Sequence, residues 1–526
     1  MKRRGFLGLM GGLAGAAARR GFFDALLAKG EEQRTSAGII GMYVHQHWPY
    51  NHPYSARTWT VGDYQSYADG LTKLGYNTML IWPLLETTPS PLTPSDRANL
   101  NKIAKVIDML HHDFKMRVWI SLCPNVAAND KEAAKYPFTK RHFFYCDRRV
   151  DPGDRAAVSR MIKWREELLR PLAKMDGVAI IDSDPGGYPG STNDQFVNLL
   201  LEHRKMFDRL RPGIELYYWM HAGWESYGRL YQTGEFKWGT AGEARDVLAR
   251  LKKLDPKPWG ITVNTLSDVF PPPDRTHLAV ATRLGLASRA VGFSYGAIEG
   301  EPTFPMTNFG GDGARKAGGT KAPRGVMGNA QTHCVQLPNT FAFARGATGK
   351  PVTEADYVAF ANGLIVGKGK TIVQAWKALA GDDPATKRDV AKELELLSKG
   401  ALPTGDLKGL LFGDPHRFLM DQVMQLRLKA AFEDLAASTE GGRDVKPSLQ
   451  SFVTAAEVWQ KQHGYECAWS WPKLAATLRK VKSPVIDAVL DQKGQGKTPY
   501  DRVEDGLRRT ETYTPRLIAA MKKSLG

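Results

Sequence analysis

The sequence is poor in cysteine: Cys123, Cys146, Cys334 and Cys467 are the only four among 526 residues. No two of them form a Cys-x-x-Cys pair, which excludes the common zinc-binding and thiol-redox motifs. We therefore expect the four thiols to be free and buried. A Cys123–Cys146 disulfide is the alternative if the protein resides in an oxidising compartment.

Long hydrophobic runs and nucleotide-binding motifs are also missing. The most apolar stretch, near the N-terminus, spans about a dozen residues, whereas a transmembrane helix needs about 20, so we expect no membrane span. No G-x-G-x-x-G follows the first predicted strand, which argues against a dinucleotide-binding sheet. The net charge is +17, but no dense basic arm, zinc-finger or RNA-binding motif occurs. The charge therefore favours acidic glycans or anionic surfaces over nucleic acid as partners.

Residues 1–34 carry the features of an export signal, a basic start followed by a Gly/Ala/Leu-rich stretch. The sequence RRGFL at residues 3–7 resembles the R-R-x-F-L core of a twin-arginine (Tat) translocation signal. This resemblance implies the Tat translocase as a partner during export and a periplasmic or secreted location in a bacterium. The alternative is a basic amphipathic N-terminus on a cytosolic protein.

Apolar strand-like runs alternate with amphipathic helical patterns from residue 38 to about residue 301. Seven strands are predicted, at residues 38–48, 77–86, 116–125, 177–184, 214–224, 258–264 and 289–301. The runs are almost continuously apolar, as is typical of parallel strands buried on both faces. This rhythm predicts an α/β fold, a (β/α)₈ TIM barrel, with an open doubly wound sheet as the alternative. We expect the eighth strand within Thr332–Ala344, after a glycine-rich loop at 310–328.

Helical patterns dominate after residue 350. Thr353 is predicted to cap the first of these helices, with Asp356 at the position of a capping box. Breaks are expected near residues 381–384, 400–405 and 441–447. We therefore divide the chain into a signal peptide and linker (1–34), a catalytic barrel (35–350) and a mostly α-helical C-terminal region (351–526).

Carboxylates stand where two of the predicted strands end. Asp182 and Asp184 end the fourth strand, and Glu299 and Glu301 end the seventh. Because functional groups of barrels gather at the carboxyl ends of strands, we expect these side chains to meet in the mouth. Strand alternation would place Ile180 in the barrel interior, with Asp182 and Asp184 above it. The alternative is that the Asp-Pro-Gly-Gly sequence beginning at Asp184 is only a turn.

This placement resembles that of barrel glycoside hydrolases, many of which carry an acid after strand four and a second carboxylate after strand seven. The resemblance implies that one carboxyl protonates the leaving oxygen while the other attacks or activates water. Asp184 is then the expected general acid, Asp182 orients it, and Glu299 or its rival Glu301 is the nucleophile or base. The sequence also resembles hexosaminidase-like and α-glucuronidase-like barrels, in which Asp182 would orient a substrate acetamido group. No cofactor and no metal is implied.

Aromatic and polar residues at the other strand ends suit a sugar pocket, because the apolar faces of sugars pack on flat rings. The predicted substrate-binding residues are His45, His47, Trp82, Asn125, Arg149, Tyr188, Trp219, His221, Asn264 and Tyr295. Arg149 belongs to a basic insertion after the third strand, and a guanidinium fork there would bind a carboxylate or sulfate. We expect a carbohydrate substrate, with acidic or N-acetylated sugars as the options.

Two other functions stay open. His45 and His47 form a His-x-His pair after the first strand and, with His221 and Asp182, this set resembles the metal-dependent barrels of the amidohydrolase type. The sixth-strand histidine and eighth-strand aspartate of that family have no counterpart here. The second alternative is a non-catalytic carbohydrate-binding barrel, which would bind sugar without turnover.

Overall fold

The structure is a computed structural model, and it describes residues 38–183, 186–239, 241–263, 275–293, 296–299, 312–320, 322–467 and 472–526. The predicted signal peptide lies outside these residues. Eight parallel strands close into a barrel in which chain neighbours are also spatial neighbours, and the last strand pairs with the first. The predicted (β/α)₈ barrel is therefore confirmed.

The barrel strands are β1 (Ile39–Val44), β2 (Thr78–Ile81), β3 (Arg117–Leu122), β6 (Gly177–Ile181), β7 (Glu215–Trp219), β8 (Gly260–Val263), β9 (Ala290–Phe293) and β10 (Gly325–Ala330). Within the insertion after β3, the short strands β4 (Val126–Ala128) and β5 (Asp147–Arg149) form an antiparallel pair. No strands were predicted in this insertion, because strands of three residues are too short to show alternation.

The helices of the barrel region are α1 (Val61–Leu74), α2 (Pro94–Phe114), α3 (Asp130–Ala133), α4 (Phe143–Cys146), α5 (Arg155–Leu169), α6 (Asn193–Leu210), α7 (Trp224–Thr233), α8 (Ala241–Leu254), α9 (Arg275–Arg283), α10 (Asp312–Gly318) and α11 (Leu337–Ala347). Short 3₁₀ turns occur at Leu85–Thr87, Phe138–Lys140, Arg170–Leu172, Ala287–Arg289 and Lys408–Leu411. Thr60 caps α1 with a capping box. Its hydroxyl accepts the backbone N–H of Asp63, and the Asp63 carboxylate accepts the backbone N–H of Thr60.

The C-terminal region is helical throughout its described length. Its helices are α12 (Glu354–Leu364), α13 (Gly369–Ala380), α14 (Pro384–Leu397), α15 (Pro415–Glu440), α16 (Lys446–His463), α17 (Pro472–Arg479), α18 (Pro484–Leu490), α19 (Pro499–Thr510) and α20 (Tyr513–Leu525). Thr353 and Asp356 form the predicted capping box. The three predicted breaks fall between helices, so this part of the sequence interpretation is confirmed.

The eighth strand is β10, so the prediction of a strand within Thr332–Ala344 is wrong: α11 covers most of that segment. Glycine caused the error, because Gly325 and Gly328 indicated a loop. A Cβ at Gly325 would lie 2.1 Å from the carbonyl oxygen of Ile39 on β1, so the glycine is required by close strand pairing.

The interior of the barrel continues into the C-terminal helices. Rings on the strands, among them Tyr43 and Trp219, belong to one buried cluster with Phe432 and Trp459 of α15 and α16. Polar contacts reinforce this packing, since the hydroxyl of Tyr54 donates to a carboxylate oxygen of Asp421 over 2.5 Å. The helical region therefore covers part of the barrel's carboxyl end, where the candidate site lies.

Two further expectations can be compared with the described residues. All four cysteines are buried thiols outside any disulfide, as predicted. A search of the described helices for one both long and apolar enough to cross a bilayer finds none.

Candidate active site

Four aromatic rings from four strands form a floor at the carboxyl end of the barrel. Trp219 and Phe293 lie 4.4 Å apart between ring centroids, and the Tyr43 ring meets the Trp219 ring edge-on at 5.6 Å. Trp82 follows β2 and lies 6.3 Å from Trp219. The indole nitrogen of Trp82 donates to the carboxylate of Glu86 over 3.0 Å, which fixes the ring. The structure therefore brings the predicted Trp82 and Trp219 together on one apolar surface.

His45 and His47 border this floor and are bonded to each other. The backbone N–H of His47 donates to Nδ1 of His45 at 3.2 Å, so His45 carries its proton on Nε2. That nitrogen lies 2.8 Å from Nδ1 of His47 and donates to it. Burial lowers the pKa of His45, and burial with the nearby Arg57 charge lowers the pKa of His47 to about 3. Both imidazoles are therefore neutral at physiological pH.

The hydrogen bonds of His45 and His47 argue against the alternative of a metal-dependent site at this pair. The Nδ1 lone pairs of His45 and His47 are both occupied, whereas a metal ligand must present a free lone pair. Among the described residues, no group of three His, Cys, Asp or Glu side chains is arranged to hold a metal ion. His221 is placed at the end of β7, beside Ser183.

Asp182 lies at the end of β6, but the direction of that strand's side chains differs from the prediction. Ala179 and Ile181 belong to the interior cluster, whereas Val178 and Ile180 pack toward the surrounding helices. The expectation that Ile180 fills the barrel interior is therefore wrong, and Asp182 shares its outward phase. The physical reason is Gly177, where a Cβ would lie 2.9 Å from the indole nitrogen of Trp119, so only glycine fits on the inner face.

The carboxylate of Asp182 is buried and accepts four hydrogen bonds from its surroundings. Ser183 Oγ donates to Oδ1 at 2.7 Å and the backbone N–H of His221 donates to the same oxygen at 3.2 Å. Tyr218 Oη donates to Oδ2 at 3.0 Å, and the backbone N–H of Gly223 does so at 3.1 Å. Burial raises the pKa of Asp182 even though these donors oppose the shift. Asp182 thus fixes the segment that follows the neighbouring strand β7.

His221 is the one predicted histidine that stays partly open to solvent. Its Nδ1 lies 3.5 Å from Ser183 Oγ, and Ser183 in turn accepts the backbone N–H of Ala222 at 3.2 Å. Ser183, which sequence reasoning did not select, therefore links the ends of β6 and β7. Its position between two aspartates was the only sequence signal for it.

Glu243 is a second carboxyl near Asp182 that sequence reasoning missed. It lies in the first turn of α8, and its Oε1 accepts the backbone N–H of Glu225 at 2.7 Å. Burial raises the pKa of Glu243 to about 8, and the Asp182 charge adds to that shift. No sequence motif marked this glutamate.

Glu299 follows β9 in sequence and is buried against the end of β10, with both carboxylate oxygens engaged. Thr332 donates its backbone N–H to Oε2 and its hydroxyl to Oε1, each at 2.6 Å, and the backbone N–H of Gln331 also donates to Oε2. Burial raises the pKa of Glu299 to about 7. The side chain therefore fixes the segment after β10 and can hold a proton near neutral pH.

Asn125 does not face the aromatic floor with a free amide. Its Nδ2 donates to the carbonyl oxygens of Gly187 at 2.8 Å and Val150 at 3.1 Å. The side chain thereby fixes the loop that follows β6, which is a positioning role rather than the predicted contact with substrate.

Arg149 is also turned into the protein, which corrects its predicted role as a fork for an acidic sugar. Its guanidinium pairs with Asp147 at 2.8 Å and lies 3.5 Å from a carboxylate oxygen of Glu504 on α19. The hydroxyl of Tyr231 accepts a further bond from it at 2.9 Å. These partners satisfy the charge internally, because an arginine buried without a carboxylate would be costly. Tyr188, by contrast, is half-buried at the rim beside Tyr500.

Four predicted site residues lie outside the described residues, namely Asp184, Asn264, Tyr295 and Glu301.

No protein-family model matches the chain, and no curated protein matches it. Among solved structures, a mutant O-GlcNAc hydrolase from Thermobaculum terrenum aligns at 9% identity and a TM-score of 0.48, over 93% of this chain and 94% of that one. A GH138 enzyme targeting pectin rhamnogalacturonan II aligns at 7% identity and 0.43, over 80% and 62% of the two chains. A GH20 β-N-acetylhexosaminidase from Streptomyces coelicolor aligns at 11% identity and 0.35, over 59% and 64%. These structural neighbours are glycoside hydrolases.

Proposed function

We propose that this protein is a glycoside hydrolase that acts at the carboxyl end of its barrel. The observation that supports the proposal is the junction of β6 and β7. There the buried Asp182 carboxylate accepts N–H groups from the β7 side, next to the aromatic floor that includes Trp219. Glycosidic cleavage uses a pair of carboxyl groups, and flat rings beside a carboxyl-bearing strand end suit the apolar faces of a sugar.

The roles of the carboxylates follow from their hydrogen bonding. Asp182 is a positioning residue, because Ser183, Tyr218 and two backbone N–H groups donate to its carboxylate and fix the segment after β7. Asp184, two residues further, is our general acid. Glu299 has both oxygens engaged by the segment after β10, which favours Glu301 as the second carboxylate.

The structure supports an acidic sugar as substrate less well than the sequence did. Arg149 was the specific feature for an acidic sugar, and its guanidinium is paired with Asp147 inside the protein. The net charge of +17 still favours an anionic glycan as the environment in which the enzyme acts. We therefore place neutral and N-acetylated glycosides first in the substrate panel.

The direct test is hydrolysis of chromogenic hexosaminides, glucosides and glucuronides by the full chain, with and without EDTA. We expect turnover of at least one sugar that survives EDTA and falls about 10²- to 10⁴-fold in Asp184→Asn. Asp389→Asn is the matched control, since the Asp389 side chain is 78% exposed on α14 and its loss should leave turnover unchanged.

The other outcomes identify the alternatives. Activity abolished by EDTA would replace this proposal with a metal-dependent hydrolase. Sugar binding without any turnover would replace it with a carbohydrate-binding barrel. Equal activity in Asp184→Asn and Asp389→Asn would remove Asp184 from the mechanism.

We also propose that the chain is exported through the Tat system, on the basis of RRGFL at residues 3–7. Replacing Arg3 and Arg4 together by lysine should retain the protein in the cytoplasm of a Tat-competent bacterium. Cell fractionation measures this directly, and unchanged export of the double variant would contradict the proposal.

A further inference from the structure

A row of aromatic side chains runs across the surface from the loop after β6 to the loop after α7. We call it the aromatic row, and its members in spatial order are Tyr188, Tyr500, Tyr231, Tyr227, Phe236 and Trp238. Five of the six come from the barrel region, and Tyr500 is contributed by α19 of the C-terminal region. Residues far apart in sequence therefore build one row of neighbouring rings.

The rings follow one another at regular steps. Tyr188 and Tyr500 are 6.0 Å apart between centroids, and Tyr500 and Tyr231 are 5.2 Å apart. From Tyr231 the row continues to Tyr227 over 6.5 Å and from there to Phe236 over 5.7 Å. Each step is comparable to the length of one pyranose ring, so the accessible rings on either side of the buried Tyr231 can meet separate units of a sugar chain.

Most of the row is accessible to solvent, and its central ring, Tyr231, is buried. Phe236 is 39% exposed, and Tyr136 is the only other strongly exposed aromatic side chain among the described residues. Tyr188, Tyr227 and Trp238 are each half-buried, with part of each side chain accessible. A group of neighbouring aromatic side chains that stays accessible marks a binding site more often than a packing defect.

The middle of the row is held rigidly from below. Tyr231 is 1% exposed, its hydroxyl accepts two bonds from the Arg149 guanidinium, and that guanidinium also stacks 5.5 Å from its ring centroid. Arg149 reaches Glu504 of α19 as well, so it ties Tyr500's helix to α7. Rigid rings lose little conformational entropy when a ligand packs on them.

The row is continuous with the candidate active site. The Gly187 backbone crosses α7 so closely that a Cβ there would lie 2.8 Å from the backbone nitrogen of Gly228. Tyr188, the next residue, therefore begins the row a short way along the chain from Asp182 at the end of β6. The helix α7 begins at Trp224. The preceding residue, Gly223, donates its backbone N–H to Asp182.

We propose that the aromatic row binds the outer sugar units of an oligosaccharide or polysaccharide whose reacting unit lies at the barrel mouth. This inference rests on the proposed function and deepens it, since it makes a chain of sugars, rather than a single glycoside, the natural substrate. It also gives the C-terminal region a direct part in binding, through Tyr500.

The test measures binding rather than turnover. The full chain carrying Asp184→Asn, which should not consume the probe, is titrated calorimetrically with the β-1,4-linked hexasaccharides of N-acetylglucosamine and of glucose and with hexagalacturonate. We expect at least one of these probes to bind. Phe236→Ala and Tyr227→Ala should each weaken that binding about 3- to 10-fold, the usual effect of removing one stacked ring. Tyr136→Ala is the control, because this equally exposed tyrosine is outside the row.

A second variant separates ring stacking from packing. Phe236→Leu keeps the apolar volume but removes the flat ring, so the melting temperature should stay and the affinity should still fall. Binding unaffected by both Phe236 variants, a matching loss in Tyr136→Ala, or no binding of any probe would overturn the inference. If chromogenic glycosides are not hydrolysed but binding depends on Phe236, the proposed function fails and the aromatic row stands.

Discussion

The side chain of Asp182 explains why a buried strand ends in a carboxylate. An unpaired carboxylate would cost several kcal/mol in this environment, about 3–5 by the effect of breaking buried pairs. Here the cost is offset by two backbone N–H groups and two hydroxyls, which come from Ser183 and from the end of β7. The carboxylate at the end of β6 therefore holds the end of β7 in place.

Replacing Asp182 by asparagine should destabilise the fold. The new NH₂ group would face N–H and O–H donors, so at least one bond is lost and a buried donor is left unmet. We expect the free energy of unfolding to fall by about 1–3 kcal/mol, measured by urea denaturation. The exposed Asp389→Asn should change it by less than about 0.5 kcal/mol. Equal stabilities would show that the four bonds contribute nothing.

Sequence reasoning located Asp182 at a strand end but assigned the wrong phase to β6. Val178 to Ile181 are all apolar, because the strand is buried on both faces, and such a run contains no alternation from which to choose an inner face. The deciding contact is between Gly177 and Trp119 on the neighbouring strand. This contact joins two strands, so the sequence of either strand alone does not reveal it.

At the scale of elements, the antiparallel β4–β5 pair connects the barrel to the C-terminal helices. Arg149 at the end of β5 pairs with Asp147 and reaches Glu504 of α19, all within buried surroundings. The basic run that contains Arg149 looked like a loop open to anions, because sequence shows charge but not the carboxylates that a distant helix supplies.

Removing Arg149 should destabilise the fold. Arg149→Ala leaves Asp147 buried without its partner, so we expect a loss of about 3–5 kcal/mol in the free energy of unfolding. The adjacent Arg148 is exposed, and Arg148→Ala should cost less than about 0.5 kcal/mol. Chemical denaturation of the two variants compares a buried and a solvated arginine one residue apart, and similar values for both would contradict the role of Arg149.

The number and order of the helices and strands were largely predictable, because each barrel unit repeats a buried strand and an amphipathic helix. The exceptions have specific causes. Gly325 was taken as part of a loop although close pairing with Ile39 requires it in β10. The eighth strand was predicted within Thr332–Ala344, whereas Pro338 fits the first turn of α11.

Over the whole molecule, two sets of buried ionisable groups have opposite effects on stability. Burial raises the pKa of several carboxyls, to about 8 for Glu243 and to about 7 for Glu299, Asp421 and Glu511. Burial lowers the pKa of several histidines to about 3, namely His47, His203, His333 and His463. The carboxyls favour the folded state at lower pH and the histidines favour it at higher pH.

We therefore expect the highest melting temperature between about pH 4.5 and 6.5, where the two sets oppose each other. Above this range the unfolded histidines are already neutral, and stability falls toward pH 8 as the folded carboxyls lose their protons. Below it, stability falls toward pH 3 because only the unfolded histidines take up protons. Circular dichroism melts across this range provide the measurement, and a melting temperature that rises steadily to pH 8 would contradict the assignment.

Glu299→Gln isolates one contribution to this profile. Glutamine cannot release a proton, so the variant should lose less stability than the wild type as pH rises from about 4.5 to about 7. An unchanged slope over that interval would place the Glu299 pKa near its ordinary value.

The central claim is that a carboxyl after β6 donates a proton to the leaving group of a glycoside. The most direct measurement compares kcat of Asp184→Asn and wild type on two aryl glycosides of the responsive sugar, one with a 4-nitrophenol and one with a 2,4-dinitrophenol leaving group. The account predicts a loss of about 10²- to 10⁴-fold on the first and a much smaller loss on the second, which needs little protonation to depart. Equal losses on both would contradict general-acid catalysis by Asp184.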